Sequence, residues 1–156
     1  MDSFWPVICP HRRAWWTGSI CEDGTPNGYG IYKVKGTNLE WHYQSTGQPA
    51  DHQLKVFVND EASQKKLQVN IWNHDPAWKT EYWIDGVNKG ELEQADIFDP
   101  YSYSTLSGPD LPNPRGFAEP KKTGHMFQAM VPSSMKEIKV VATDPFGKAY
   151  AVTHTV

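Results

Sequence analysis

Residue types that could support hydrolysis are scattered through this sequence. Asn73-His74-Asp75 has the composition of a metal-binding triplet, since all three side chains can ligate divalent ions. A two-metal hydrolase, however, needs several further Asp, Asn and His clusters that converge on both ions, and the sequence carries none. Because the triplet follows Ile71-Trp72 and precedes Pro76, we predict a strand end that enters an Asp-Pro turn.

Acidic residues in predicted loops could form the acid and base pair of a glycosidase. These residues are Asp85, Asp96, Asp99 and Asp110. Aspartate is common in turns because its side chain hydrogen-bonds nearby backbone groups, so we predict turn-forming roles for them. No ligand spacing supports a calcium site in these loops.

The two cysteines, Cys9 and Cys21, allow two interpretations. A disulfide between them would require an oxidising compartment, and the alternative is two free thiols. A zinc site that includes His11 is a poor fit, because no Cys-x-x-Cys pair and no regularly spaced fourth ligand accompany them.

Aromatic residues make up 13% of the chain. Trp72 and Trp78 could form part of a platform on which a sugar ring stacks. They could equally be core residues, since buried aromatics supply large packing area. The other candidates for either role are Trp41, Tyr82 and Trp83.

Composition excludes several classes of protein. The 156 residues suit one domain, and the apolar runs are far too short to span a membrane. Twelve glycines and twelve prolines disfavour a helical bundle. The net charge of -3, without a basic patch, gives no sign of a nucleic-acid partner.

Alternation of apolar and polar residues predicts about eight strands. They cover residues 30–34, 39–43, 54–58, 67–71, 80–84, 125–131, 138–142 and 150–154. Short strands separated by regular turns predict an all-β fold, an antiparallel β-sandwich of the immunoglobulin or fibronectin type. Residues 89–97 are the candidate for one or two helical turns. Four prolines between 109 and 120 predict a long irregular insertion over 95–123.

The first residues lack the pattern of a signal peptide, because the basic residues follow the short apolar stretch and prolines interrupt it. The chain is therefore expected to stay in the cytosol or to begin after a segment that this sequence lacks. We predict that residues 1–13 are a stub or linker and that residues 14–156 form a single domain.

The most specific motif is Asp23-Gly24-Thr25-Pro26-Asn27-Gly28-Tyr29, preceded by Trp15-Trp16-Thr17-Gly18. Together with Trp41-His42-Tyr43 and the segments 69–78 and 142–148, it resembles the C-terminal domain of secreted bacterial calcineurin-like metallophosphoesterases. The resemblance extends from about residue 14 to the end of the chain.

The resemblance implies a non-catalytic accessory domain that docks on a phosphoesterase domain, in the same parent chain or a separate protein, and shapes its active site. Gly124-His125-Met126-Phe127 lacks the second histidine of a phosphatase motif, and Asn73-His74-Asp75 lacks the preceding glycine. No catalytic residue or cofactor is therefore assigned to this domain. A dinuclear metal centre would belong to the parent's phosphatase domain, and a periplasmic or extracellular location is implied.

The loop from Trp15 to Tyr29 is the predicted contact surface, because large rigid aromatics beside turn backbone make efficient interface anchors. Its candidate binding residues are Trp15, Trp16, Asp23, Asn27 and Tyr29, although the two tryptophans could instead cap the core. Trp72 and Trp78 are the candidates for an alternative function, a carbohydrate- or surface-binding module. An enzyme that uses loop acids in 95–123 lacks any nucleophile paired with a base.

Overall fold

This computed structural model describes residues 4–5, 20–107, 109 and 119–155. The described part contains eleven strands and one helix. In chain order they are β1 (Phe4–Trp5), β2 (Gly28–Lys35), β3 (Asn38–Ser45), β4 (Leu54–Glu61), β5 (Gln64–Ile71), β6 (Lys79–Ile84), β7 (Val87–Glu91), β8 (Glu93–Phe98), α1 (Pro100–Leu106), β9 (Lys122–Pro132), β10 (Glu137–Thr143) and β11 (Ala149–Thr155).

The chain divides into two compact units. We call residues 1–53 and 97–123 the hairpin unit, and residues 54–96 and 124–156 the sandwich unit. The prediction of a single domain over residues 14–156 stays a prediction. Within the described residues, no helix is long and apolar enough to cross a membrane.

The sandwich unit contains two four-stranded sheets. The last two residues of β8 and the first two residues of β9 belong to the hairpin unit. The strand orders of the two sheets are β4-β5-β9-β8 and β11-β10-β6-β7. Side chains alternate between faces, so Leu67, Val69 and Ile71 of β5 are all fully buried. They join Ile138 and Val140 of the other sheet in one apolar core. The predicted antiparallel β-sandwich is confirmed.

The last two predicted strands, 138–142 and 150–154, form a hairpin in which β10 and β11 are antiparallel. The Asp144 carboxylate closes its turn, because Oδ1 accepts hydrogen bonds of 2.9 Å from the backbone N–H groups of Phe146 and Lys148. The Tyr150 hydroxyl donates to the other carboxylate oxygen at 3.1 Å. Asp144 thus connects the turn to Tyr150, which belongs to the apolar core.

The hairpin unit is built on the β1-β2-β3 sheet. β2 and β3 pair antiparallel from Gly28 opposite Ser45 to Lys35 opposite Asn38. β1 adds to the other edge of β2, opposite Gly30 and Ile31. Helix α1 belongs to the same unit.

Two predictions about the middle of the chain were wrong. Residues 89–91 and 93–97 lie in strands β7 and β8 rather than in helical turns, because backbone pairing at sheet edges holds them despite mostly exposed side chains. The 95–123 segment is also less irregular than predicted, since it includes the end of β8, helix α1 and the start of β9. Residues 110–118 of that segment lie outside the described residues.

Candidate functional site

The described part of the predicted contact surface begins with a tight turn over residues 20–26. The Cys21 N–H donates to the Thr25 carbonyl at 2.8 Å, and the Gly24 N–H donates to the Cys21 carbonyl at 3.0 Å. The Asp23 carboxylate accepts from the Thr25 N–H at 3.0 Å, as expected for aspartate in a turn. The Asp23 side chain therefore orders the loop itself.

Gly24 sits where no side chain fits. Its φ is 82°, and a Cβ there would lie 2.2 Å from Cγ of Asp99. Asp99 is buried and caps helix α1, accepting from the Ser102 N–H at 2.7 Å. The turn thus packs its backbone directly against the start of α1.

The Glu22 carbonyl connects this turn to two later segments. It accepts from the buried Ser102 hydroxyl at 2.5 Å and from the Lys121 N–H at 2.9 Å. The Glu22 carboxylate pairs with the Lys121 ammonium at 2.6 Å. Three polar contacts therefore fix the loop to α1 and to the segment before β9.

The second half of the motif packs against β3. The buried Tyr43 hydroxyl donates to the Pro26 carbonyl at 2.5 Å. Burial, with a smaller contribution from the negative charge of Asp23, raises the pKa of Tyr43 to about 12, so the donor stays protonated. The Asn27 carbonyl accepts from the Thr46 N–H at 2.8 Å. A Cβ on Gly28 would lie 2.3 Å from the Gln44 carbonyl oxygen.

The motif is therefore built mainly as an ordered support. Asp23 and Asn27 are half-buried, whereas Tyr29 is 39% exposed. Of the five predicted contact residues, Trp15 and Trp16 lie outside the described residues. Tyr29 is the described member that offers a large exposed side chain to a partner.

Cys21 is buried and disulfide-bonded. This finding removes the interpretation of Cys21 as a free thiol or zinc ligand. Cys9 is the only other cysteine of the sequence. Cys9 and His11 both lie outside the described residues.

The two tryptophans of the alternative function do not form an exposed platform. Trp72 is only 1% exposed, directly after β5, so a sugar ring has no access to it. Trp78 is half-buried and stacks on Tyr150, with ring centroids 5.8 Å apart and planes 23° apart. Trp72 is therefore a core residue, and Trp78 is a half-buried residue that packs against the core.

Asn73-His74-Asp75 forms the predicted turn. Asn73 has a φ of 59°, and the Asp75 carboxylate accepts from the Ala77 N–H at 2.8 Å. Burial is the main cause that lowers the pKa of His74, and the charge of nearby His125 acts in the same direction while Asp75 opposes it. No group of three or more His, Cys, Asp or Glu in the described residues is placed to hold a metal ion.

One face of the β2–β3 hairpin is exposed in part, and the sequence did not single it out as a candidate binding surface. Tyr32 lies opposite Trp41 and Val34 opposite Leu39, and alternation places both pairs on the face of Tyr43. We call these four side chains the hairpin apolar face. Leu39 is 51% exposed and Val34 is 48% exposed, although alternation in an amphipathic strand would place both on a core. Alternation in β3 and in the half of β2 next to the turn is the signal that could have identified this face.

The tip of the hairpin is also charged. Lys33 lies opposite Glu40 on the other face. A hollow of about 350 Å³ beside Val34 is lined by Lys33, Val34, Lys35, Asn38 and Glu40. Apolar and charged side chains therefore meet at the end of the hairpin.

A family model described as the C terminal of calcineurin-like phosphoesterase matches residues 12–150. Comparison with curated proteins and with solved structures found no match.

Proposed function

Because this chain belongs to the family of C-terminal domains of calcineurin-like phosphoesterases, we propose that it is an accessory domain without a hydrolytic centre of its own. It docks on a phosphoesterase catalytic domain, in the same parent chain or a separate protein, and shapes the active site there. The observation that carries this proposal is the family match over residues 12–150.

The sequence supports a non-catalytic role for this domain, because its phosphatase-like motifs are incomplete. The closest approaches to phosphatase motifs, at Asn73-His74-Asp75 and Gly124-His125-Met126-Phe127, each lack a required residue. The dinuclear metal centre of the parent enzyme would belong to its catalytic domain. That domain would supply the polarised phosphoryl oxygen and the activated water.

The absence of turnover tests the catalytic part of the proposal. We expect the purified chain with manganese to hydrolyse a chromogenic phosphodiester no faster than a control that contains a chelator. Turnover that appears with manganese, disappears with the chelator and co-purifies with the chain would refute it.

Docking involves the loop that ends at Tyr29. Its hydrogen bonds to α1 and β3 hold the backbone in place, and preorganised surfaces lose less entropy on binding. Asp23 and Asn27 shape the loop, Tyr29 is its described exposed anchor, and Trp15 and Trp16 complete the proposed surface.

Replacement of the anchor tests the loop. Tyr29→Ala should weaken binding to the catalytic domain about tenfold, as loss of an interface tyrosine commonly does. Phe146→Ala is the matched control, because Phe146 is similarly exposed (41% against 39%) and lies in the sandwich unit. Equal effects of the two substitutions would remove Tyr29 from the proposed interface.

We also propose a periplasmic or extracellular location for the parent protein. The support is the disulfide at Cys21, since disulfides persist in oxidising compartments and are rare in the cytosol. Alkylation of the protein directly on lysis, followed by mass spectrometry, should find Cys21 unmodified until a reductant is added. Rapid alkylation of Cys21 without reductant would contradict this location.

A further inference from the structure

Side chains on the Tyr43 face of the hairpin become more exposed toward the turn that joins β2 and β3. Tyr43 is buried, the Tyr32–Trp41 pair is half-buried, and the Val34–Leu39 pair next to the turn is about half exposed. Large apolar side chains therefore continue along this face toward the turn, where Val34 and Leu39 are only half covered. A contiguous apolar surface of this kind commonly marks an interaction site.

The hairpin presents this face in a defined geometry. Gly36 has a φ of 63° at the first position of a two-residue turn, as type II′ hairpins require. The register is continuous over all eight pairs from Gly28–Ser45 to Lys35–Asn38. Val34 and Leu39 are therefore held as a cross-strand pair before any partner arrives.

The position of β1 shows where the chain that precedes the family match lies relative to the hairpin. β1 precedes residue 12, where the family match begins, yet it pairs with β2 opposite Gly30 and Ile31. Chain upstream of the accessory domain thus already lies on the hairpin's own sheet. In a parent chain whose catalytic domain comes first, that domain is joined at this sheet.

The charges at the tip define the chemistry of the partner surface. Lys33 and Lys35 flank Val34, and among the described residues that line the same hollow Glu40 is the acid. The tip is therefore locally positive, although the whole chain has a net charge of -3. Because alternation places these charges on the face opposite Val34 and Leu39, a complementary surface is apolar where it meets that pair, and it carries carboxylates only where it extends past the turn to the other face.

We propose that the hairpin apolar face docks on the phosphoesterase catalytic domain, with Val34 and Leu39 at the centre of the contact. This inference rests on the accessory function proposed above. It adds a second surface, which alternation places on the face of β2 opposite to Tyr29. The four side chains form the central anchors of an interface, while neighbouring surface supplies its remaining area.

The test measures binding of the full chain to the purified calcineurin-like phosphoesterase domain encoded in its source genome, by biolayer interferometry. The Val34→Lys/Leu39→Glu double variant replaces the apolar pair with an opposite-charge cross-strand pair, which preserves pairing of the hairpin. We expect affinity to fall at least about tenfold. Val34→Thr/Leu39→Thr, which keeps strand-forming residues, should give a smaller loss in the same direction.

Val87→Lys provides the matched control. Val87 is 56% exposed, follows a hairpin turn and belongs to the sandwich unit. Its substitution adds a lysine in a comparable position and should leave affinity within about twofold. Hydrogen exchange of the β2–β3 amides confirms that each double variant keeps its hairpin.

The outcomes separate this inference from the proposed function. Tight binding of the native chain and equally tight binding of both double variants would overturn the hairpin site and leave the accessory function standing. Failure of the native chain to bind would overturn both. A native dimer that the double variants convert to monomer, with catalytic-domain binding unchanged, would assign the face to a second copy of the chain and overturn the proposal.

Discussion

The described parts of the two units are stabilised by different interactions. In the sandwich unit, thirteen buried apolar residues form one cluster drawn from both sheets. In the described part of the hairpin unit, four apolar residues are buried alongside five polar ones. The apolar residues are Ile20, Cys21, Tyr43 and Leu106, and the polar ones are Glu22, Ser45, Gln53, Asp99 and Ser102.

The buried polar residues of the hairpin unit form directional contacts. Gln53, for example, donates from Nε2 to the Tyr43 carbonyl at 2.5 Å and to the Ala50 carbonyl at 3.0 Å. Hydrophobic burial tolerates small shifts because it is non-directional, whereas a satisfied polar network specifies one geometry. The sandwich unit thus resembles a general scaffold, and the hairpin unit is arranged to hold particular surfaces in place.

The largest effect should follow from a cavity in the sandwich core. Ile138 is fully buried, so Ile138→Ala should reduce the free energy of unfolding by about 2–5 kcal/mol. Urea denaturation measures the change. Val87→Ala, at an exposed position, should cost less than about 0.5 kcal/mol. A loss of similar size at both positions would contradict the proposed difference between core and surface.

Reduction of the disulfide should act mainly on the hairpin unit. Because few of the described residues of that unit are apolar and buried, we expect reduction to cost about 2–4 kcal/mol, seen as faster hydrogen exchange over residues 20–28. The core strands β5 and β10 serve as the internal reference and should keep their protection. Uniform loss of protection throughout the chain would show that the two units unfold together.

Gly24→Ala tests the close packing of the turn against α1. The added Cβ meets Asp99 and the backbone remains at positive φ, so we expect a loss of about 2–3 kcal/mol. Gly36→Ala in the same unit is the control, since its φ is also positive but its Cβ would meet nothing within 4 Å. It should cost only about 1 kcal/mol. Equal costs would mean that conformation, rather than the contact with Asp99, limits position 24.

The smallest effect concerns pH and a turn of the sandwich unit. Asp85 accepts from the backbone N–H groups of Glu137 and Lys136, each at 2.9 Å, and these hydrogen bonds lower the pKa of Asp85. A lowered folded pKa contributes stability above the unfolded value of about 3.9, and this contribution is lost as pH falls through the folded pKa.

Thermal denaturation from pH 7 to pH 2.5 can detect this contribution. The stability difference between the native chain and Asp85→Asn should be largest near neutral pH and shrink below about pH 4. Glu93→Gln, at an exposed position, is the control. A difference that is constant over the whole range would contradict a role for the charged carboxylate.

The sequence predicted the strands whose side chains alternate strongly, such as β5 and β10. It failed where exposed strands are held mainly by backbone pairing. Val87–Glu91 has almost no buried side chains, so its local pattern carried no signal. The start of α1 did carry one, because Asp99 and Pro100 are a favourable N-cap and first helical residue, but the prolines downstream obscured it.

In the candidate site, too, local sequence determined some features and the tertiary structure decided the others. Local sequence determined the turns around Asp23 and Asp75, because a side chain and a backbone N–H two residues apart suffice to form them. Only the tertiary structure could show that Trp72 is buried and Leu39 exposed, since burial depends on which distant elements cover a side chain. For the same reason, the alternation in β2 and β3 defined one face of a hairpin, and the fold left the outer half of that face uncovered.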